Sequence, residues 1–366
     1  MNCEFGLYIH IPFCAGKCPY CDFYSVDFDG DLADKYTSVL INQMKARVFE
    51  GHKISTVYFG GGTPSLMGSE RIARILDVVS DHFNLSPSAE ITLELNPCTA
   101  SMNLMRSLAV AGINRLSIGM QSGSDDELRI LGRKHTSGQT QAVTLMARQA
   151  GIDNISLDWM IGIPGQTEQA LEKTLRMIEE CGPEHVSAYL LKIERSTPFG
   201  KNTPKNIPDD ETTAGIYMSA CESLEKIGLI QYEISNFAKG GFKSRHNLNY
   251  WNCGEYLGIG PAAHSFMGGR RFFFTPSLDD FLSNPQIKDD GEGGGREEYA
   301  MLRLRLNEGL REDEWQERYG ERIPEEYRGR AALLAPHGLT EADEAGIRLT
   351  RKGFLLSNEI ITRIIS

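Results

Sequence analysis

From residue 7 to about residue 230, short apolar, β-branched runs alternate with longer amphipathic stretches. Six runs, at 7–11, 56–59, 91–95, 115–120, 155–161 and 186–191, read as strands, and helical periodicity predicts helices near 32–50, 69–83, 101–111, 137–150, 168–180 and 210–227. Strand followed by helix, repeated in this way, predicts an α/β fold on a parallel sheet; periodicity alone leaves open whether that sheet is flat or curled. Past residue 231 the alternation stops. Aromatic-rich segments at 232–237, 244–251 and 254–266 follow, and they do not read as a seventh strand–helix unit. The stretch 284–296, with Asp289-Asp290-Gly291-Glu292-Gly293-Gly294-Gly295, reads as a mobile linker, and a small, mainly helical module is expected from Glu297 onward, with a turn at 349–354 before a last helix. Three units are therefore expected: 1–235, 236–295 and 296–366.

Composition narrows the functional classes. The chain has 366 residues, 41% of them hydrophobic, enough for a large buried core. Its formal net charge of −11 and the lack of a clustered basic face argue against nucleic acid as the partner, for the terminal module as well. No run approaches the ~18 apolar residues that span a bilayer, and no charged-then-apolar leader pattern precedes Cys14; a cytoplasmic protein is expected.

Eight cysteines are unevenly spread. Cys3, Cys98, Cys181, Cys221 and Cys253 read as small hydrophobes in a reducing compartment. Cys14, Cys18 and Cys21 instead form C-x3-C-x2-C in a tight loop after the first strand. Three thiolates leave one iron of a [4Fe-4S] cluster open to a non-protein ligand, such as the amino and carboxylate groups of S-adenosylmethionine (SAM). A structural zinc site would ordinarily add a second pair of Cys or His ligands, and none stands at that spacing.

The string Tyr8-Ile9-His10-Ile11-Pro12-Phe13-Cys14, continuing to Cys18-Pro19-Tyr20-Cys21, resembles the radical-SAM superfamily, in the branch that holds anaerobic coproporphyrinogen III dehydrogenases and HemW-type haem chaperones. The likeness runs along nearly the whole chain. It implies a partial (β/α)6 barrel with a small, mainly helical and winged-helix-like C-terminal domain, and cofactors at the carboxyl ends of the strands. It also implies a [4Fe-4S] cluster on Cys14, Cys18 and Cys21. Gly61, Gly62 and Thr63, in Gly60-Gly61-Gly62-Thr63-Pro64, fall at the superfamily's site for the methionyl group of SAM; taken alone, a glycine triplet is a turn signal. Glu94, Gln121, Arg133, Asp158 and Ala188 match further SAM contacts, and Tyr8 and Tyr20 match positions that contact two SAM molecules in the dehydrogenases. No residue is assigned a catalytic role.

A second string, His246-Asn247-Leu248-Asn249-Tyr250-Trp251, resembles the signature separating the haem chaperones from the dehydrogenases. It implies haem as cargo, with His246 as a candidate axial ligand and Asn247, Tyr250 and Trp251 beside it; packing of a histidine among core aromatics is the plainer alternative. Cys253 and His264 are weaker candidate ligands. Phe23 stands where the dehydrogenases carry a further cysteine, which favours the chaperone. The expected function is a haem chaperone that passes haem to an acceptor protein, its SAM site gating binding or dimerisation. The alternative is oxidative decarboxylation of coproporphyrinogen III.

Overall fold

The computed structural model describes residues 3–47 and 52–366. Six strands alternate with helices: β1 (Cys3–Ile11), α1 (Gly30–Lys45), β2 (His52–Gly61), α2 (Gly68–His82), β3 (Asn84–Leu95), α3 (Met102–Val110), β4 (Arg115–Gln121), α4 (Ser137–Gln149), β5 (Asn154–Ile161), α5 (Glu168–Cys181), β6 (His185–Leu190) and α6 (Asp210–Lys226). The last three positions of the helix expected over 32–50 lie outside the described residues. Polar side chains start these helices by accepting otherwise unpaired amides: Asp29 for α1, Ser101 for α3, Thr167 for α5 and Asp209 for α6, while Thr136 and Gln139 form a reciprocal capping box on α4.

β1 to β6 pair in parallel, each with the next. Helices cover their outer face, where the alternate residues are apolar, as with Leu116, Ile118 and Met120 of β4; β4 is buried at every position. This is the partial (β/α)6 barrel.

The region after α6 corrects two expectations. β7 (Ile230–Gln231) and β8 (Asn236–Ala238) extend the sheet antiparallel beyond β6. A short helix, α7 (Arg245–Trp251), then leads into β9 (Tyr256–Ile259), which joins the opposite edge as a further parallel strand beside β1. A helix-to-parallel-strand unit therefore exists here, hidden because its strand spans only four residues. β10 (His264–Met267), β11 (Arg270–Phe274) and β12 (Ile287–Glu292) continue antiparallel from β9. The middle of the stretch expected as a linker, residues 287–292, is thus an edge strand: its acidic side chains point out while its backbone pairs with β11. Among the described residues the order is β12-β11-β10-β9-β1-β2-β3-β4-β5-β6-β8-β7.

The C-terminal region holds α8 (Arg296–Arg303), α9 (Glu312–Tyr319), α10 (Glu325–Leu334) and α11 (Ser357–Ile365). These pack with a three-stranded antiparallel sheet of β13 (Leu310–Arg311), β14 (Thr340–Asp343) and β15 (Gly346–Leu349) around Trp315. Phe266 of β10 and Cys253 belong to the same apolar cluster, so the region is seated on the barrel.

Candidate cofactor cavity

β1 ends at the cysteine loop. Phe13–Cys14 pairs with Val26–Asp27, the Cys21 amide donates to the Cys18 carbonyl at 3.1 Å, and Lys134 Nζ donates to the Ala15 carbonyl at 3.0 Å. The loop is thereby folded so that all three thiols, free and half-buried, open into one cavity of roughly 420 Å³ at the carboxyl ends of the strands.

The glycine triplet forms one wall. A Cβ at Gly60 would stand 2.9 Å from the Tyr58 ring, 3.0 Å from the Tyr8 ring and 3.1 Å from Glu94 Oε1. At Gly62 it would meet the Phe13 carbonyl oxygen at 2.5 Å. These positions are glycine because neighbours close over them. Two donors hold the Glu94 carboxylate: Tyr58 Oη on Oε1 at 3.0 Å and the Gly61 amide on Oε2 at 3.1 Å. Burial, then the nearby Asp158 carboxylate, push Glu94 up to about 7. Burial likewise pushes Asp158 up to about 6, opposed by the Ser117 hydroxyl, which donates to Oδ1 at 2.9 Å.

The far wall comes from β4 and the segment after it. Gln121 holds φ 64°, a left-handed conformation that costs a non-glycine residue ~1 kcal/mol and marks the strand end. Arg133 donates to the Gly119 carbonyl at 3.0 Å and reaches Cys18 Sγ at 3.8 Å, while its Nε is buried without a hydrogen-bond partner. A side chain at Gly119 would occupy the space that Arg133 and Gln121 use.

Of the expected SAM residues, Tyr20, Gly61, Gly62, Thr63, Glu94, Gln121, Arg133 and Asp158 line this cavity with the three cysteines. Tyr8 lies behind it, stacked on Tyr58 and hydrogen-bonded to His10. The Ala188 side chain faces the core, and the adjacent Ser187 and Tyr189 line the cavity, as period-2 alternation along β6 requires. Tyr58 and Arg115 are cavity residues that the sequence reading missed. Arg115 is buried, with Nε unpaired, and period-2 spacing within the predicted strands would have pointed to it beside Ser117.

The H-N-x-x-Y-W segment forms α7, and it does not offer an accessible ligand. His246 is 1% exposed; Nδ1 lies 2.7 Å from Thr56 Oγ1 and Nε2 lies 2.7 Å from Tyr250 Oη. Burial, then the charge of Arg115, pull His246 down to about 3, so the ring is neutral. Trp251 is covered by the Arg305 guanidinium, 4.5 Å from the ring centroid. Asn247 alone of this string lines the thiol cavity. His264 is exposed and stacked on Phe273. Among the other cysteines, Cys221 and Cys253 are buried as expected, whereas Cys98 is exposed. The side chain of Cys3 lies outside the description.

The donor set fits the group that the sequence implies: three soft thiols on one cavity, two carboxylates for an ammonium or sulfonium, and a buried Arg133 Nε awaiting an acceptor. Among the described residues no three His, Cys, Asp or Glu side chains converge on a single-ion site; a [4Fe-4S] cluster takes each thiolate on a different iron.

Comparison with known proteins shows the family. Residues 8–178 match the radical SAM superfamily and residues 296–356 match the HemN C-terminal domain. The chain belongs to the radical SAM superfamily, whose members use SAM and a [4Fe-4S] cluster. It is 34% identical to the haem chaperone HemW of Bacillus subtilis, over 96% of this chain and 97% of that one. It is also 33% identical to the mitochondrial radical S-adenosyl methionine domain-containing protein 1 of Danio rerio, over 99% of this chain and 87% of that one. Within the superfamily the chain belongs to the HemW family. The structure of the radical SAM enzyme coproporphyrinogen III oxidase (HemN) from Escherichia coli superposes with a TM-score of 0.87, covering 100% of this chain and 91% of that chain at 23% identity, a likeness of fold. Among the described residues no helix is long and apolar enough to cross a membrane.

Proposed function

We propose that this protein is a cytoplasmic haem chaperone, which binds haem and hands it to a haem-requiring acceptor protein. The observation that carries the reading is that Asn247, from the H-N-x-x-Y-W helix, lines the cavity of the three thiols. The segment assigned to the cargo thereby meets the cofactor cavity at Asn247. Cys14, Cys18 and Cys21 would hold the cluster, and Tyr20, Gly61, Gly62, Thr63, Glu94, Gln121, Arg133 and Asp158 would hold SAM. Bound there, the pair supplies one-electron reductive chemistry toward the sulfonium. Glu94 and Asp158 would take the cationic end of SAM, Arg133 would balance thiolate charge at Cys18, and the apolar walls would exclude water. His246 would reach haem iron through Nε2, the nitrogen that faces the Tyr250 hydroxyl, on release of that bond and of the hold that Glu90 has on the start of α7. Occupancy of the SAM site then gates haem binding or dimerisation.

Anaerobic reconstitution with iron and sulfide, compared with Cys18→Ser, tests the cofactor half. About four irons and four acid-labile sulfides per chain are expected in the parent, with loss of both, and of haem transfer, in the variant. A zinc-bearing, iron-free parent would overturn it. Vinyl-bearing product from coproporphyrinogen, SAM and a reductant would assign the protein to the dehydrogenases instead.

A further inference from the structure

β2 carries Thr56, Tyr58 and Gly60 on one face, since alternate residues of a strand share a side. All three serve the two halves of the site at once. Thr56 Oγ1 holds His246 Nδ1 at 2.7 Å. The Tyr58 ring stacks on the His246 ring with centroids 5.1 Å apart and planes 24° from parallel, while its hydroxyl donates to Glu94 Oε1 at 3.0 Å. Gly60 leaves the room in which Tyr58 and Glu94 meet, and Gly6, whose Cβ would stand 3.2 Å from the His246 ring, leaves room for the imidazole. One side chain, Tyr58, therefore touches both the carboxylate of the cavity and the histidine of the cargo helix.

We propose that Tyr58 is a positioning residue that couples the two sites: a ligand drawing on Glu94 weakens the tyrosine's hydrogen bond, frees its ring, and loosens the seat of His246. The physical basis is competition for one oxygen. Glu94 Oε1 accepts from Tyr58, Oε2 accepts from the Gly61 amide, and a cationic ligand at this carboxylate must share or replace one of those donors. The tyrosine has little slack to absorb the change, because Tyr8 and His246 both pack against it, with centroids 6.2 and 5.1 Å away, and lie 6.5 Å from each other, so the three rings form one cluster. Coupling between two binding sites is reciprocal, so haem must tighten SAM by the factor by which SAM tightens haem. The inference rests on the chaperone reading for the identity of the cargo, and on the contacts alone for the link itself.

The test uses cluster-loaded protein with 15N-labelled imidazoles, SAM as one probe and haemin as the other. SAM is expected to move the ring resonances of His246 and to tighten haemin binding roughly fivefold or more. Tyr58→Phe keeps the stacked ring and removes the donor to Glu94; it should bind both ligands yet lose both responses. Thr56→Val, which alters the other contact of His246 but lies off the route, should shift the resting resonances and keep the response. Wild-type resonances that ignore SAM, or a Tyr58→Phe protein that responds as the parent does, overturn the coupling. A parent that binds no haemin but whose His246 still answers SAM through Tyr58 supports the link and overturns the chaperone reading instead.

Discussion

Glu94 carries a conflict between holding a cation and folding. Its carboxyl stands at about 7, above the ordinary value of 4.5, because burial and Asp158 disfavour the charge. Between those two values the folded chain keeps a proton that the unfolded chain releases. Stability therefore falls as pH rises through that window, and the cost is complete above pH 7. Glu94→Gln should raise the stability of the ligand-free protein at pH 8 by ~1 kcal/mol, allowing for solvent in the open cavity, and should change little at pH 4. Thermal melts at both values check this, and SAM titration should show an affinity loss of about tenfold or more in the same variant; a variant equally stable and equally tight at pH 8 would contradict it. At this scale the cysteines, the glycine triplet and the acidic strand ends were legible, since thiols in a loop and charges in apolar runs are conspicuous. Ser187, Tyr189 and Tyr58 were not, and Arg115 was legible only through its period-2 spacing from Ser117. Which of two adjacent strand residues faces a cavity depends on register, and register is a property of the partner strands.

α7 is short, and its start is fixed by a carboxylate from another element. Glu90 of β3, buried, accepts from the backbone amides of Arg245 and His246, each at 3.1 Å. A negative charge at unpaired amides of a helix start stabilises it twice over, as acceptor and against the helix dipole. Glu90→Ala should cost about 1.5–3 kcal/mol in denaturant unfolding, from the loss of charged hydrogen bonds; a cost below ~0.5 kcal/mol would show that α7 is held elsewhere. β12 gives the complementary lesson. Its sequence, Ile287-Lys288-Asp289-Asp290-Gly291-Glu292, carries the residues of a turn, yet its backbone completes the ladder begun by Phe272, Phe273 and Phe274. Edge strands tolerate such charges because one side faces water. Amides in 287–292 that bond to β11 should exchange with deuterium measurably more slowly than those at 284–286, whereas uniform fast exchange would restore the linker. The six barrel strands were legible because each carries a run of apolar, largely β-branched residues on the face that the helices cover; the later strands are short, and only their pairing identifies them.

Across the molecule, the C-terminal region holds the barrel through side chains far apart in sequence. Arg303 donates to Asn252, Arg305 covers Trp251, Asn307 donates to the Gln231 carbonyl, and Lys243 pairs with Glu308 at 3.1 Å. Phe266 and Cys253 share their apolar cluster with Trp315 and Tyr299. A chain ended at residue 295 should expose that cluster and lose soluble expression or a cooperative melt; a truncated chain that melts like the parent would show that the region is an independent appendage. The alternation of strands and helices made the barrel legible, and a helix-rich module after residue 296 was legible too. Its seat on α7 was not, because an arginine reaching across fifty residues leaves no periodic trace.

The central claim is that haem is the cargo and that α7 takes part in holding it. Haemin titration of the anaerobically reconstituted protein, followed at the Soret band with His246→Ala in parallel, tests it most directly. The account predicts saturable binding of about one haem per chain, weakened roughly tenfold or more in the variant by loss of an iron ligand. Absence of specific binding in the parent, or identical binding in both proteins, would contradict it.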